Sequence, residues 1–269
     1  MDMQEKYRQQ LDISYSYHLA KRMEKHRTNE ELGYRTAGSK AELATGEMLE
    51  QEMHTIGFPI IHKDAITVDA WEFERAKMTF LNEKGEEETI QLGAYQTNFV
   101  TDGPECYSVV YAGRGTLQDY EGMDVTGKLV LVDINQRDEW WINYPVYQAH
   151  LKGAAAVIAV QCGGYGEVDA KALNAQDIAG PEDAPAFSIS REDAALLREL
   201  LDGEKEATVW LKADSRVKRD CTTYNISGCI PGKHPERMVL LSAHYDSYFS
   251  GFQAVSYTHL RAHETAANL

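Results

Sequence analysis

The stretch Gly127-Lys-Leu-Val-Leu-Val-Asp133 decides the fold class, because it is a near-continuous apolar run. Such a run is typical of a parallel strand that is covered on both faces of its sheet. A helical segment follows over Val146–Lys152, with Gly153 at its end, and a second apolar run spans Ala154–Val160. A strand, a helix and a strand joined by short connections predict a βαβ unit, so we expect an α/β protein.

The βαβ unit lies inside a longer mixed block, residues 60–215. On its N-terminal side, alternating segments around the turn Asn82–Gly85 predict antiparallel strands over Ile60–Phe73, Lys77–Leu81 and Glu88–Leu92. On its C-terminal side, Pro185–Ile189 leads into a capping box, Ser190–Asp193, and then into a helix over Ala194–Leu201. One more strand is predicted over Ala207–Ala213.

Helices precede this block, and a strand that ends in polar residues follows it. Residues 4–27 have apolar side chains near helical spacing, and the capping box Ser39–Glu42 predicts a second helix that stops at Gly57. Beyond a charged segment, Asp214–Asp220, which we interpret as a linker, strands are predicted over Tyr224–Ile230 and Met238–Ala243. The last of these runs directly into His244-Tyr-Asp246.

Length and charge narrow the function classes. The 269 residues suggest about two domains. The 42 acidic residues against 27 basic ones give a net charge of −15, which disfavours binding to nucleic acid. The sequence has no apolar run of membrane-spanning length and no leader-like start, so we expect a soluble, cytoplasmic protein without membrane partners. The sequence gives no indication of oligomeric state.

His244 and Asp246 are the candidate site residues. In an extended segment, residues i and i+2 point to the same side, so Asp246 can accept the free ring N–H of His244 and orient the ring for a metal. Neutral imidazole is a ligand that zinc prefers. Taken alone, the H-x-D pattern favours a structural histidine that a carboxylate holds at the end of a strand.

The surrounding motifs resemble a known peptidase family. Asn225-Ile-Ser-Gly-Cys-Ile-Pro-Gly232 followed by Met238-Val-Leu-Leu-Ser-Ala-His-Tyr-Asp-Ser247 resembles the opening of the M28 catalytic domain, and Tyr34-Arg-Thr-Ala-Gly-Ser39 resembles the segment that precedes its inserted domain. The block 61–215 resembles that insertion, a protease-associated (PA) domain. It does so through Thr126–Val132, His150–Ala155, Ala156–Ala159 and Pro185–Ser190, in that order.

The resemblance implies a metallo-exopeptidase of aminopeptidase type that acts on peptides with two zinc ions. By resemblance, His244 is a zinc ligand and Asp246 orients it. The general base and the remaining ligands of the family lie downstream of the matched motifs, and no residue of this chain is assigned to them. The implied fold is a truncated zinc-exopeptidase α/β sandwich with a mixed sheet and an inserted α+β PA domain. Its parts are residues 1–60 (helices of the peptidase domain), 61–215 (PA insertion) and 216–253 (start of the catalytic domain).

The tail, residues 254–269, has a different origin on this interpretation. Ser256-Tyr-Thr-His-Leu-Arg-Ala-His-Glu-Thr265 matches the translation of a transposase adapter used in sequencing libraries. We therefore expect the natural sequence to continue differently after Gln253 and the 269-residue chain to be inactive. We also expect an apolar edge at Met238–Ala243 that favours aggregation.

Two alternatives remain open. Some proteins of this architecture keep the fold and lose the metal, so the chain could be a non-catalytic binding module with a PA domain. An M20-type metallohydrolase also uses H-x-D after an apolar strand. That motif normally comes early in the chain, however, and not after a long insertion.

Overall fold

A computed structural model of the chain describes residues 2–30, 32–135, 142–162, 170–173, 175–176, 184–203, 206–234, 236–247 and 261–264. The chain divides into two compact units. The terminal unit comprises Met1–Arg35, Lys40–Ile66 and Thr222–Leu269, and the inserted unit comprises Thr36–Ser39 and Thr67–Cys221.

The described helices are α1 (Met3–Gln10), α2 (Ile13–Glu24), α3 (Lys40–Ile56), α4 (Asn143–Leu151), α5 (Arg191–Gly203) and a short 3₁₀ turn, Gln118–Tyr120. The described strands are β1 (Ile60–Leu81), β2 (Glu87–Gln91), β3 (Gly93–Tyr95), β4 (Phe99–Val100), β5 (Glu105–Tyr111), β6 (Leu129–Ile134), β7 (Ala156–Gln161), β8 (Ala175–Gln176), β9 (Ala186–Ile189), β10 (Ala207–Cys229), β11 (Val239–Ser242) and β12 (Arg261–Glu264). None of the described helices is both long enough and apolar enough to span a membrane.

The N-terminal helical segment is interrupted, whereas the next helix has the predicted limits. The Asp12 side chain accepts the backbone N–H of Tyr15 at 2.9 Å and so starts α2 as a separate helix. Helix α3 ends as expected at Gly57, where φ is +88°. Gly57 donates its N–H to the His54 carbonyl and Phe58 donates to that of Met53, each at 3.1 Å, which is a Schellman cap.

The βαβ prediction is confirmed. Strands β6 and β7 are parallel, with Val130 opposite Val157, and α4 connects them. Strand β9 continues the parallel set beside β7, and β5 lies parallel to β6 on the other side. In the part of the chain described, the strands of this sheet follow the order β2-β1-β10-β5-β6-β7-β9-β3-β8, with β4 on β10.

The core of the inserted unit surrounds the parallel strands. Its buried residues include alternate side chains of β6 and β7 together with Val146 and Ala149 of α4. Burying each valine or isoleucine side chain of this core contributes about 1.5–3 kcal/mol. The N-cap bond of the predicted capping box before α5 is present, since the Ser190 hydroxyl accepts the N–H of Asp193 at 3.0 Å and donates to its carboxylate.

The predicted linker over Asp214–Asp220 is wrong, because these residues continue strand β10. Two of their charged side chains form ion pairs with acidic residues of β1. The Lys218 Nζ atom lies 2.6 Å from Glu72 Oε1, and the Arg219 Nη1 atom lies 3.4 Å from Asp69 Oδ2. Ser215 is fully buried and accepts a hydrogen bond from the Trp71 indole at 2.7 Å. Likewise, the two segments predicted between Ile60 and Leu81 form one strand, β1, whose hairpin with β2 is as expected. The chain therefore passes between the units inside β1 and β10.

Strand β11 is present but exposed. Each of its residues is exposed, and the preceding Met238 is 59% exposed. Its described backbone partner is β12, within the tail to which the sequence analysis assigned no fold. An unpaired apolar edge accepts an extended segment readily, which accounts for this pairing.

Candidate metal centre

Strand β11 delivers His244 and Asp246 to the same side of the chain. The segment Ala243–Asp246 that follows the strand belongs to no helix or strand, and it brings the side chains of residues i and i+2 together. The His244 Nδ1 atom lies 2.8 Å from Asp246 Oδ1. The imidazole is 73% exposed and the carboxylate 17% exposed. A neutral ring that donates its Nδ1–H to Asp246 leaves the Nε2 lone pair open to solvent or to a metal ion.

Tyr245, which lies between His244 and Asp246 in the sequence, is held in place by strand β10. Its hydroxyl donates to the Tyr224 carbonyl in β10 at 2.7 Å. A Cβ at Gly46 would lie 3.3 Å from the Tyr245 hydroxyl oxygen, so glycine lets helix α3 approach the ring closely. Burial, and then the Glu42 carboxylate, raise the pKa of Tyr245 above its ordinary value. The hydroxyl therefore remains a neutral donor through the physiological range.

A buried carboxylate lies beside this tyrosine. Glu42, in the first turn of α3, is 3% exposed and accepts a hydrogen bond from the Thr223 hydroxyl at 2.6 Å. A negative charge in the first turn is favourable to the helix dipole. Glu42 thus connects α3 to β10 close to the ring of Tyr245.

Arg35 fastens the backbone of the same segment. The Arg35 N–H donates to the Ser247 carbonyl at 2.9 Å, and the Ser247 N–H donates to the Arg35 carbonyl at 3.0 Å. The guanidinium Nε donates to the Tyr245 carbonyl at 2.8 Å. Arg35 is 3% exposed, so these bonds are shielded from water.

The donor set fits part of a zinc site. His244 supplies one imidazole whose second nitrogen is already committed to a carboxylate, the usual arrangement for a zinc-bound histidine. Among the described residues, no group of three or more His, Cys, Asp or Glu side chains is placed so that it could hold an ion. Within that part of the chain, the pair provides a single ligand and its orienting carboxylate.

Sequence reasoning identified the pair but not its supports. His244 and Asp246 are adjacent as expected, while their roles as ligand and orienting group stay predictions. From the sequence, Glu42 is predicted only as a capping residue, Arg35 is only part of a motif, and Tyr245 has no predicted role. The sequence did contain one signal for these supporting residues, namely polar side chains within motifs that otherwise predict packing. A buried arginine or glutamate requires hydrogen-bonding or charged partners, so such a side chain indicates a supporting role.

Comparison with known proteins supports both parts of the resemblance. Residues 99–197 match the PA domain family model. No curated protein sequence matches the chain. Solved structures do match. An M28 peptidase precursor from Shewanella amazonensis SB2B matches with a TM-score of 0.67 and 20% identity over 88% of this chain and 55% of that one.

Two aminopeptidase structures are also similar. An aminopeptidase from Aneurinibacillus sp. strain AM-1 has a TM-score of 0.52 at 20% identity, covering 84% of this chain and 50% of its own. The zinc aminopeptidase BSAP from Bacillus subtilis has a TM-score of 0.54 at 19% identity, covering 81% and 48%. The chain thus spans about half the length of these structures. It contains a PA domain at residues 99–197 and has the α/β fold of the solved M28 peptidase.

Proposed function

We propose that the chain is part of a zinc aminopeptidase of the M28 type that removes N-terminal residues from peptides. The observation that carries this proposal is the His244–Asp246 pair at the end of an apolar strand, in a chain with the fold of an M28 peptidase. The PA domain match and the zinc aminopeptidase among the similar structures support the same assignment.

In this proposal His244 is a zinc ligand through Nε2, and Asp246 holds the ring by accepting the Nδ1–H. This hydrogen bond also fixes the tautomer that leaves Nε2 free for the metal. Zinc, when bound, would polarise the scissile carbonyl and lower the pKa of a coordinated water from 15.7 toward about 7. The exposure of the imidazole is compatible with a site that is open to solvent and substrate.

Two zinc ions need more ligands than one histidine supplies, together with a general base. We propose that these groups belong to the natural sequence after Gln253 and that the 269-residue chain by itself does not hydrolyse peptides. The support is the adapter match of residues 256–265 and the single ligand among the described residues.

The first test is to re-sequence the source locus across the codons for Phe252–Val255, with reads that carry no transposase adapter. We expect an Asp just after Gln253 and a Glu-Glu pair further on. The protein from that locus is then assayed on aminoacyl p-nitroanilides before and after removal of zinc with a chelator. Chelator-sensitive release is expected there, and none from the 269-residue chain. Activity in the 269-residue chain would contradict the proposal.

A non-catalytic PA-containing binding module is the second candidate, because the described residues hold only one ligand. It would be favoured if the gene continued as Thr-His-Leu-Arg-Ala-His-Glu, or if the protein from the locus bound no zinc.

Removing the orienting carboxylate gives a sharper test. In the protein from the locus, Asp246→Ala is expected to lower zinc affinity about 10–100-fold, because the imidazole loses the group that fixes its orientation and tautomer. Competition with a chromophoric chelator measures the change. Asp64→Ala, an exposed carboxylate elsewhere in the terminal unit, is the control and should leave the affinity unchanged. An equal effect in both variants would exclude Asp246 from the site.

A further inference from the structure

We propose that Arg35 is a positioning residue for the His244–Asp246 pair and that its guanidinium sets the peptide that lies between the two side chains. The zinc consequence of this inference rests on the proposed function, whereas the positioning itself concerns only this chain.

The contacts of Arg35 converge on one short segment. Its backbone exchanges two hydrogen bonds with Ser247, and its Nε bonds the carbonyl of Tyr245, two residues earlier. These three bonds come from a single residue and bracket Asp246. The peptide between Tyr245 and Asp246 is thereby held in one orientation.

The Arg35 side chain is itself held in place by a contact with helix α2. Its Nη1 lies 3.4 Å from the Met23 carbonyl in the last turn of α2, and the residue is 3% exposed. A cation at the C-terminal end of a helix is favourable to the helix dipole. The guanidinium therefore connects the end of α2 to the Tyr245 carbonyl through a side chain that is almost fully buried.

The pair needs such support, because the hydrogen bond between His244 and Asp246 does not by itself fix the conformation of the backbone that carries the two side chains. The imidazole is 73% exposed, so water competes with the hydrogen bond between His244 and Asp246. Residues i and i+2 face the same side only while the backbone stays extended. A rotation of the peptide after Tyr245 would turn the carboxylate away from the ring. Arg35 acts on that peptide through the Tyr245 carbonyl.

The test compares the ring of His244 in wild type and in Arg35→Met. Imidazole ¹⁵N shifts of the 269-residue chain, recorded where the ring is neutral, report which nitrogen carries the proton. We expect wild type to favour the Nδ1–H form and R35M to shift toward the distribution of an unconstrained imidazole. R35K keeps a cation but loses the planar fork, so it should lie between the two. R35K carries the test if R35M does not fold.

Two controls separate positioning from loss of stability. Leu32→Ala removes a buried side chain of the same unit, and Arg27→Met removes an exposed arginine paired with Glu30. Neither should change the tautomer of His244. A wild-type tautomer in every folded Arg35 variant would overturn the inference, and so would an equal shift in L32A.

Zinc binding then distinguishes this inference from the proposed function. In the protein from the re-sequenced locus, R35M is expected to bind zinc at least about 10-fold more weakly than wild type, while R27M is unchanged. If wild type binds no zinc but R35M still shifts the tautomer, the peptidase proposal fails and the positioning stands. If wild type binds zinc and the tautomer of R35M is unaltered, the peptidase proposal stands and the positioning role of Arg35 fails.

Discussion

Tyr245 shows how one residue can serve a site that it does not enter. It lies between His244 and Asp246 in the chain, and its hydroxyl bonds the Tyr224 carbonyl instead of the pair. Its own carbonyl accepts the Arg35 guanidinium. Residues with these supporting roles are hard to recognise in a sequence, because their partners are backbone carbonyls and a carbonyl has no residue identity.

A second tyrosine gives a prediction for alkaline solution. Burial, and then the hydrogen bond to Glu105, raise the pKa of Tyr107 to about 12, against an ordinary value of 10.0. The folded state therefore favours the neutral phenol. This contribution to stability is complete below pH 10 and is lost as the pH rises toward about 12. Urea unfolding of wild type and Tyr107→Phe across this range should show a steeper alkaline loss in wild type. Parallel curves would exclude Tyr107 as the source.

At the scale of elements, sequence patterns predicted what depends on local periodicity. The βαβ unit, the hairpin around Asn82–Gly85 and the end of α3 at Gly57 follow from apolar spacing and turn residues, and all are present. The pattern failed where strands extend through charged residues. Asp214–Asp220 was interpreted as a linker because its charges look solvated, yet Lys218 and Arg219 pair with acidic residues of β1. Partners across strands cannot be seen in a single segment.

The candidate site likewise has one part that local sequence patterns predict and another part that only the folded structure reveals. The alignment of His244 with Asp246 follows from the period of a strand, which is a local property. Arg35, Glu42 and Thr223 approach Tyr245 or its neighbours from elements far away in the chain. Only the folded arrangement brings them there, so spacing could not have indicated them.

The cap of α3 gives a prediction at this scale. Gly57→Ala is expected to destabilise the protein by about 1–2 kcal/mol, because a non-glycine residue is strained at φ +88°. A Cβ at this position would have no atom within 4 Å, so the cost comes from the backbone alone. Chemical denaturation measures it.

Gly103→Ala is the matched control. That glycine has equally open space and does not have a positive φ. Alanine there should be neutral or stabilise the protein by up to about 1 kcal/mol through the unfolded state. Equal losses in the two variants would show that φ is not the cause.

At the scale of the whole molecule, β11 departs from the usual relation between apolar sequence and burial. Met238–Ala243 has the composition of a buried strand, but Val239 is 72% exposed and Leu241 is 62% exposed. The net charge of −15 opposes self-association, whereas an exposed apolar strand is expected to promote it. Burial depends on what covers a strand, and no property of the strand itself reports that.

One substitution in β11 is expected to change the balance between charge repulsion and association through the exposed strand. Leu241→Lys is expected to reduce self-association of the 269-residue chain, because a lysine on an exposed strand opposes pairing between edges. Static light scattering across protein concentrations measures the change. Leu81→Lys, which alters an exposed leucine at the end of β1, is the control and should have little effect. Equal reduction by both lysines would indicate net charge instead of the strand.

The alternation after β11 also limits how this segment can change length. His244 and Asp246 face one side and Tyr245 the other, and each side has its own chemistry. Inserting one residue between Ser242 and His244 would exchange the sides, turning the aromatic ring toward solvent and the His244–Asp246 pair toward Glu42. Inserting two residues there would keep the sides while shifting the pair along the chain. Parity, more than length, is the constraint that this segment places on insertions and deletions.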